Sequence, residues 1–181
     1  MEFIQHTEDI FTVKSLLTAD YCDRLISDSE KLGYVEAPIT TSGGPLMVKE
    51  IRNNTRVIYD DEDLAAGIWE IVKDYVPEYF EEKQAVGLNE RFRFYRYEPG
   101  QRFNWHYDGC YRRPNGEQSY FTLIFYLNDD FEGGSTEFED TTNIIPGKGD
   151  ALIFWHYQRH IGNKVLSGRK YVLRTDVMYS K

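Results

Sequence analysis

The run Tyr120-Phe121-Thr122-Leu123-Ile124-Phe125-Tyr126-Leu127 is almost continuously apolar, and it constrains the fold more than any other stretch of the chain. It is short for a helix and rich in aromatic and β-branched side chains. Such a run suits a strand covered on both faces. Arg91–Tyr97, Ser135–Phe138, Ala151–Trp155 and Tyr171–Tyr179 are further strand candidates. Turn signals separate them: Glu98-Pro99-Gly100, Pro114-Asn115-Gly116, Gly133-Gly134, Pro146-Gly147 and Ser167-Gly168. Short strands with turns at this spacing point to a sandwich or jelly roll.

The first half has a different texture. Thr18 is a suitable N-cap for a helix whose Tyr21, Cys22, Leu25, Ile26 and Leu32 share a face and which Gly33 closes. A second helix is expected from Asp61 to Val76, with Leu64, Ile68, Ile71, Val72 and Tyr75 as its apolar stripe and Pro77 marking its end. Between them, Ala37–Asp60 reads as a polar connection with one short strand at Arg56–Tyr59. The whole is a β-rich α+β chain of 181 residues, one domain in length. Residues 1–85 are expected to be mainly a helical flank with a substrate-side loop, and residues 86–181 the β core.

Charge narrows the function. The formal net charge is −9, which leaves no general basic footprint for nucleic acid. Cys22 and Cys110 are far apart and form no C-x-x-C pair, so two reduced thiols are expected. No apolar run approaches a membrane span, and Met1–His6 lacks the signature of a signal peptide. A cytoplasmic location and no membrane partner are the resulting expectations.

The chemistry gathers around the histidines. In His106-Tyr107-Asp108, residues i and i+2 of an extended segment point the same way, so an imidazole and a carboxylate can converge on one ion. A second His would complete a two-His-one-carboxylate face, which suits non-haem Fe(II) and leaves positions open. His160 and His156 are the candidates. Lys170 lies ten residues beyond His160, where it can offer a fixed cation, whereas ten beyond His156 is Leu166, which cannot pair with a carboxylate. His160 is therefore the expected ligand, and the role of His156 stays open between a supporting and a structural imidazole. A zinc hydrolase would also use His and Asp ligands, but it leaves Lys170 without a role.

Several stretches in order resemble the prolyl-4-hydroxylase-like branch of the Fe(II)/2-oxoglutarate oxygenases. They are Arg96-Tyr97-Glu98-Pro99-Gly100-Gln101 through His106-Tyr107-Asp108-Gly109, then Tyr126-Leu127-Asn128, then Phe131-Glu132-Gly133-Gly134-Ser135-Thr136. Gly149-Asp150-Ala151-Leu152-Ile153-Phe154 and His160 through Tyr179 follow. The resemblance implies a double-stranded β-helix (jelly roll, cupin-like) with N-terminal flanking helices. It implies His106, Asp108 and His160 as the Fe(II) ligands and catalytic centre, and Lys170 as partner of the C5 carboxylate of 2-oxoglutarate. It further implies Tyr97 and Tyr126 in the co-substrate pocket, with O2 as oxidant, ascorbate as possible reductant, and succinate and CO2 as products. Thr122 and Arg174 also point toward that region, and Arg174 is the second candidate cation for the co-substrate. Because Asp108 is present where halogenating relatives carry a small residue, hydroxylation is favoured.

Substrate contacts are expected in loops around the barrel mouth. The candidates are Arg52, Asn54 and Arg56 in the polar connection, Trp105 and Tyr107 beside the first ligand, and the loop Gly109–Ser119 with Tyr111, Arg112 and Arg113. A solvated connection is the competing expectation for Arg52–Arg56. A peptidyl residue, prolyl among them, and a free small molecule resembling an amino acid both stay open as substrates. A non-catalytic domain that binds metal and 2-oxoglutarate as a sensor is the alternative from another class.

Overall fold

The computed structural model describes residues 1–41 and 43–181. Its largest sheet runs, in spatial order, Glu2–Gln5, Ile10–Lys14, Ala151–Trp155, Gln118–Tyr126, Lys170–Tyr179, Arg91–Tyr97, Thr55–Asp60 and Val35–Glu36. Each neighbouring pair is antiparallel. A smaller antiparallel sheet orders Phe103–His106, His160–Gly162, Thr136–Phe138 and Asn143–Ile144. This is the strand-rich double-stranded β-helix.

Gln118–Tyr126, the apolar run of the sequence, lies between Ala151–Trp155 and Lys170–Tyr179 and is buried on both faces. Successive side chains of a strand alternate between faces, so the parity of each residue fixes its surroundings. Phe121, Leu123, Phe125, Leu173, Phe92 and Phe94 pack into the core shared with the helices. Ile124, Tyr126, Val172, Tyr95 and Tyr97 pack on the opposite side with Phe138, Leu152 and Phe154. The pairings Lys170↔Tyr97, Val172↔Tyr95, Val172↔Tyr126, Ile124↔Arg174 and Thr122↔Asp176 then put one column of polar side chains on that second face.

Both helices take their expected starts. α1 (Ala19–Leu32) is capped by Thr18, whose hydroxyl accepts from the Tyr21 N–H at 3.3 Å, and Gly33 closes it at φ +84°. α2 (Glu62–Val72) is capped by Asp61, whose carboxylate accepts from the Leu64 N–H at 2.8 Å. Cys22, Leu25 and Ser29, and Ala65, Ile68 and Val72, form their buried i, i+3, i+7 stripes. α2 stops earlier than its apolar stripe suggests, because Lys73–Tyr75 tightens into a 3-10 turn before Pro77.

The first 85 residues do more than flank the core. They contribute Glu2–Gln5, Ile10–Lys14, Val35–Glu36 and Thr55–Asp60 to the main sheet itself. Gly149, at φ +83°, lets the chain pass against this N-terminal part: a Cβ there would meet the Leu17 carbonyl oxygen at 2.2 Å. The connection after α1 is also ordered rather than solvated. Arg52 bridges to Phe103, the Asn104 N–H donates to the Ile51 carbonyl at 2.7 Å, and the Arg102 N–H donates to the Asn53 side chain at 2.8 Å.

Candidate active site

The two sheets bring His106 and His160 together as paired neighbours on adjacent strands. Their ring centroids are 4.2 Å apart. Asp108, just past the end of Phe103–His106, completes the group: its carboxylate lies 3.8 Å from His106 Nε2 and 3.9 Å from His160 Nε2. One ligand atom from each residue falls within 4.8 Å of the others.

The protonation of these groups suits a cation. His106 Nδ1 lies 2.7 Å from the Asn104 carbonyl and His160 Nδ1 lies 2.9 Å from the Gln158 carbonyl. A carbonyl can only accept, so each Nδ1 carries the proton and each Nε2 lone pair faces inward. Burial, then His160 beside it, pushes His106 down to about 3, and burial also lowers His160, so both rings are neutral. Burial would raise Asp108, but Arg174 and the flanking imidazoles outweigh it and hold the carboxyl far below its usual range.

A chain of hydrogen bonds fixes the carboxylate. Thr122 Oγ1 donates to Asp108 Oδ2 at 2.6 Å. Having donated, it accepts from His156 Nδ1 at 3.0 Å, and His156 Nε2 accepts from Ser119 Oγ at 2.8 Å. Ser119 Oγ in turn accepts from the Tyr111 N–H at 2.8 Å. The direction of every bond follows from the first, and each buried polar atom in the chain is satisfied. His156 thus supports Asp108 through Thr122. The share taken by Ser119 has no sequence signature, because it depends on the loop Gly109–Ser119 folding back onto its strand.

On one side of this group an inner cavity is lined by Tyr97, Tyr126, Thr136, Lys170 and Arg174. The Lys170 ammonium lies 5.4 Å from the Tyr97 ring centre and 5.2 Å from that of Tyr126. It donates to the Gly134 carbonyl at 2.6 Å, and among the described residues no carboxylate lies within 4 Å of it. Burial alone brings its pKa down to about 7. Gly134, at φ +64°, is what allows this approach, since a Cβ there would stand 3.2 Å from the lysine side chain. A buried amine with no counter-charge favours an anionic partner. Tyr126 is held by Thr136 at 2.7 Å.

Arg174 stands differently from the sequence expectation of a second co-substrate cation. Its guanidinium is already paired, with Asp176 at 3.0 Å and Asp108 at 3.3 Å. It stands between the inner cavity and the outer cleft, braced against both carboxylates.

On the other side a larger cleft is lined by Arg52, Arg56, Trp105 and Tyr107, among others, and reaches solvent past Tyr107 and Cys110. Arg52 is only 4% exposed and Asn54 1%, so neither lies on a solvated loop. Arg52 is sandwiched between the rings of Tyr95 and Phe103, at 4.4 and 4.3 Å, and its Nε donates to Asn54 Oδ1 at 2.8 Å. Asn54 therefore orients Arg52 and does not line the cleft. Phe103 also stacks on His106, 3.5 Å between centres, a contact its place in the sequence does not announce. Burial pushes the Tyr95 phenol up, but Arg52, Arg174 and Arg93 outweigh it and bring it down to about 8. In the loop, Tyr111 lines the cleft, whereas Arg113 turns away to pair with Glu90 and Glu117.

Residues 92–175 match the model of the 2OG-Fe(II) oxygenase superfamily. Over these residues the chain is similar to the 2OG-Fe(II) oxygenases, and its relatives are of the prolyl-4-hydroxylase-like kind. Prolyl 4-hydroxylase 1 of Arabidopsis thaliana is 24% identical over 94% of this chain and 69% of its own length. A putative prolyl 4-hydroxylase of Acanthamoeba polyphaga mimivirus is 32% identical over 42% of this chain and 40% of its own. The viral collagen prolyl hydroxylase of Paramecium Bursaria Chlorella virus-1, solved with 2OG, has a TM-score of 0.68 at 22% identity over 96% of this chain and 97% of its own. A Trichoplax adhaerens prolyl hydroxylase, solved with a hypoxia inducible factor peptide fragment, has a TM-score of 0.72 at 14% identity over 94% and 84%. The cofactor set of this oxygenase domain is Fe(II) and 2-oxoglutarate, with O2 as oxidant. The site fits that set: a neutral-imidazole and carboxylate face for the metal, and an uncompensated buried amine for a dicarboxylate.

Proposed function

We propose that this protein is a peptidyl hydroxylase, with a prolyl residue as the first candidate target. The observation that carries the reading is the placement of the His106–Asp108–His160 face between two spaces of opposite character. One is an inner cavity ending at buried Lys170, and the other is a cleft that reaches solvent past exposed Tyr107. The relatives named prolyl 4-hydroxylase, and a neighbour holding a peptide, support peptide over free amino acid.

Fe(II), 2-oxoglutarate and O2 together supply the oxidising chemistry, with one oxygen atom leaving in succinate beside CO2 and the other in the hydroxylated product. The chain's own residues position and seal. Lys170 would pair with the distal carboxylate, and Tyr97 and Tyr126 wall that pocket against water. His106, Asp108 and His160 would hold the metal through one ligand atom each. Thr122 and His156 keep the Asp108 carboxylate turned inward. Arg52, Arg56, Trp105 and Tyr107 present the substrate on the cleft side.

The test is turnover with Fe(II), 2-oxoglutarate and ascorbate against proline-containing peptide pools and, separately, free amino acids. Succinate formation stimulated by peptide, with a gain of one oxygen in peptide mass, supports the reading. Oxygen gained by free amino acids alone contradicts it, and 2-oxoglutarate bound without turnover would indicate a sensor.

A further inference from the structure

The outer cleft carries more positive charge than the protein itself balances. Arg52, Arg56, Arg93 and Arg174 line it, against the two carboxylates Asp108 and Asp176. Arg174 is paired with both of these, and Arg93 reaches only Asp176, at 3.4 Å. Asp108 belongs to the metal face. Among the described residues, no carboxylate lies within 4 Å of Arg52 or Arg56. Elsewhere Arg91 pairs with Asp60, Arg96 with Glu30, Arg113 with Glu90, Arg159 with Glu139 and Arg169 with Glu98, while Arg24, Arg102 and Arg112 have no carboxylate within 4 Å among the described residues. Those three are exposed or half-buried, where water serves them, whereas Arg52 is buried and Arg56 half-buried beside it.

Arg52 is also built in place. It is more than nine-tenths buried, its plane is clamped between two aromatic rings, and its Nε is fixed by Asn54. Its Nη2 is nevertheless buried without a hydrogen-bond partner. Leaving such a donor unpaired is costly, and a rigid guanidinium is the group that matches a carboxylate best. Phe103 separates Arg52 from the ligand His106 by one ring, so an anion held here sits close to the metal face. Burial, Arg52 and Arg93 all disfavour the charge on Arg56, which an incoming anion would relieve.

We infer that Arg52 and Arg56 form a carboxylate-binding subsite of the substrate cleft, so that this enzyme selects peptides carrying a carboxylate beside the target residue. The inference rests on the peptidyl hydroxylase reading above. The carboxylate has two sources, an acidic side chain next to the target or the C-terminus of a peptide ending there.

The experiment uses the protein loaded with Fe(II) and 2-oxoglutarate under anaerobic conditions, and measures binding by fluorescence anisotropy. The probes are labelled proline-centred peptides flanked by Glu, the same peptides with Gln, and a pair ending at proline as free acid or amide. The Glu or free-acid peptide is expected to bind about tenfold or more tightly than its neutral twin. Whichever pair shows the difference identifies the source. Arg56→Gln, on the half-buried strand Thr55–Asp60, is expected to erase the ratio and Arg56→Lys to restore part of it. Equal binding within both pairs, or a ratio that Arg56→Gln leaves intact, overturns the subsite. Because the readout is affinity, failure of the subsite is distinct from failure of peptide hydroxylation, which would show as tight binding without oxygen gained once air is admitted.

Discussion

Thr122 and Asp108 are joined by a 2.6 Å hydrogen bond between a strand at the centre of the sheet and a residue beyond the end of another. The bond turns the carboxylate toward His106 and His160, and it is backed by His156 and Ser119. Groups that orient a metal ligand from behind typically change metal affinity about 10- to 100-fold when removed. Thr122→Val keeps the shape and deletes the donor, so Fe(II) affinity is expected to fall by about tenfold or more. An anaerobic Fe(II) titration checks this, and unchanged affinity would show that the carboxylate orients itself.

Lys170 sets a pH dependence. Its pKa is about 7 while it faces only a carbonyl, and a bound carboxylate raises it. Below about pH 7 the amine is charged with or without 2-oxoglutarate, and affinity is flat. Above that, binding must bring a proton with it, so affinity falls as pH rises, by up to about tenfold per unit. Lys170→Met is expected to weaken binding and to flatten the profile. The same lowered pKa means that the unfolded chain binds more protons, so the protein without co-substrate gains stability from about pH 7 toward 10.5. Isothermal titration across this range, with thermal melts beside it, checks both signs.

Asn54 tests the buried connection. Its side chain accepts from Arg52 and donates to the Thr55 carbonyl at 2.9 Å, and nothing at the surface explains its presence. Asn54→Ala leaves a buried guanidinium short of a partner, which costs about 1–3 kcal/mol. Urea denaturation should show a loss of that size, whereas a solvated loop would show almost none.

The backbone approach at Gly149 is the fourth test. A Cβ at this position meets the Leu17 carbonyl oxygen at 2.2 Å, in a backbone conformation that alanine rarely adopts. Gly149→Ala is expected to destabilise by about 2 kcal/mol or more, because the strand Ala151–Trp155 would have to shift. A melting temperature equal to that of the parent protein contradicts this.

Much of the fold was legible because its signals are local. The strands Arg91–Tyr97 and Ala151–Trp155 follow from composition and turns, and Thr18, Gly33 and Asp61 cap helices where such residues do. The N-terminal strands Glu2–Gln5 and Ile10–Lys14 were not, because they are short and gain their order from pairing with each other and with Ala151–Trp155. At the site, the spacing of His106, Asp108, His160 and Lys170, together with the family resemblance of the stretches around them, marked the metal face and the buried amine. The roles of Asn54, Phe103 and Ser119 were hidden, since each depends on which distant segment packs against it. Arg174 shows the same limit: the residue pattern marks a cation facing the pocket, and only the fold shows that Asp108 and Asp176 already hold it.

One spectrum tests the metal and co-substrate site most directly. Under anaerobic conditions, Fe(II) and 2-oxoglutarate added to the protein should produce a visible metal-to-ligand charge-transfer band, lost in His160→Ala and weakened in Lys170→Ala. A folded, iron-loaded protein that gives no band on addition of 2-oxoglutarate would contradict the assignment of this site.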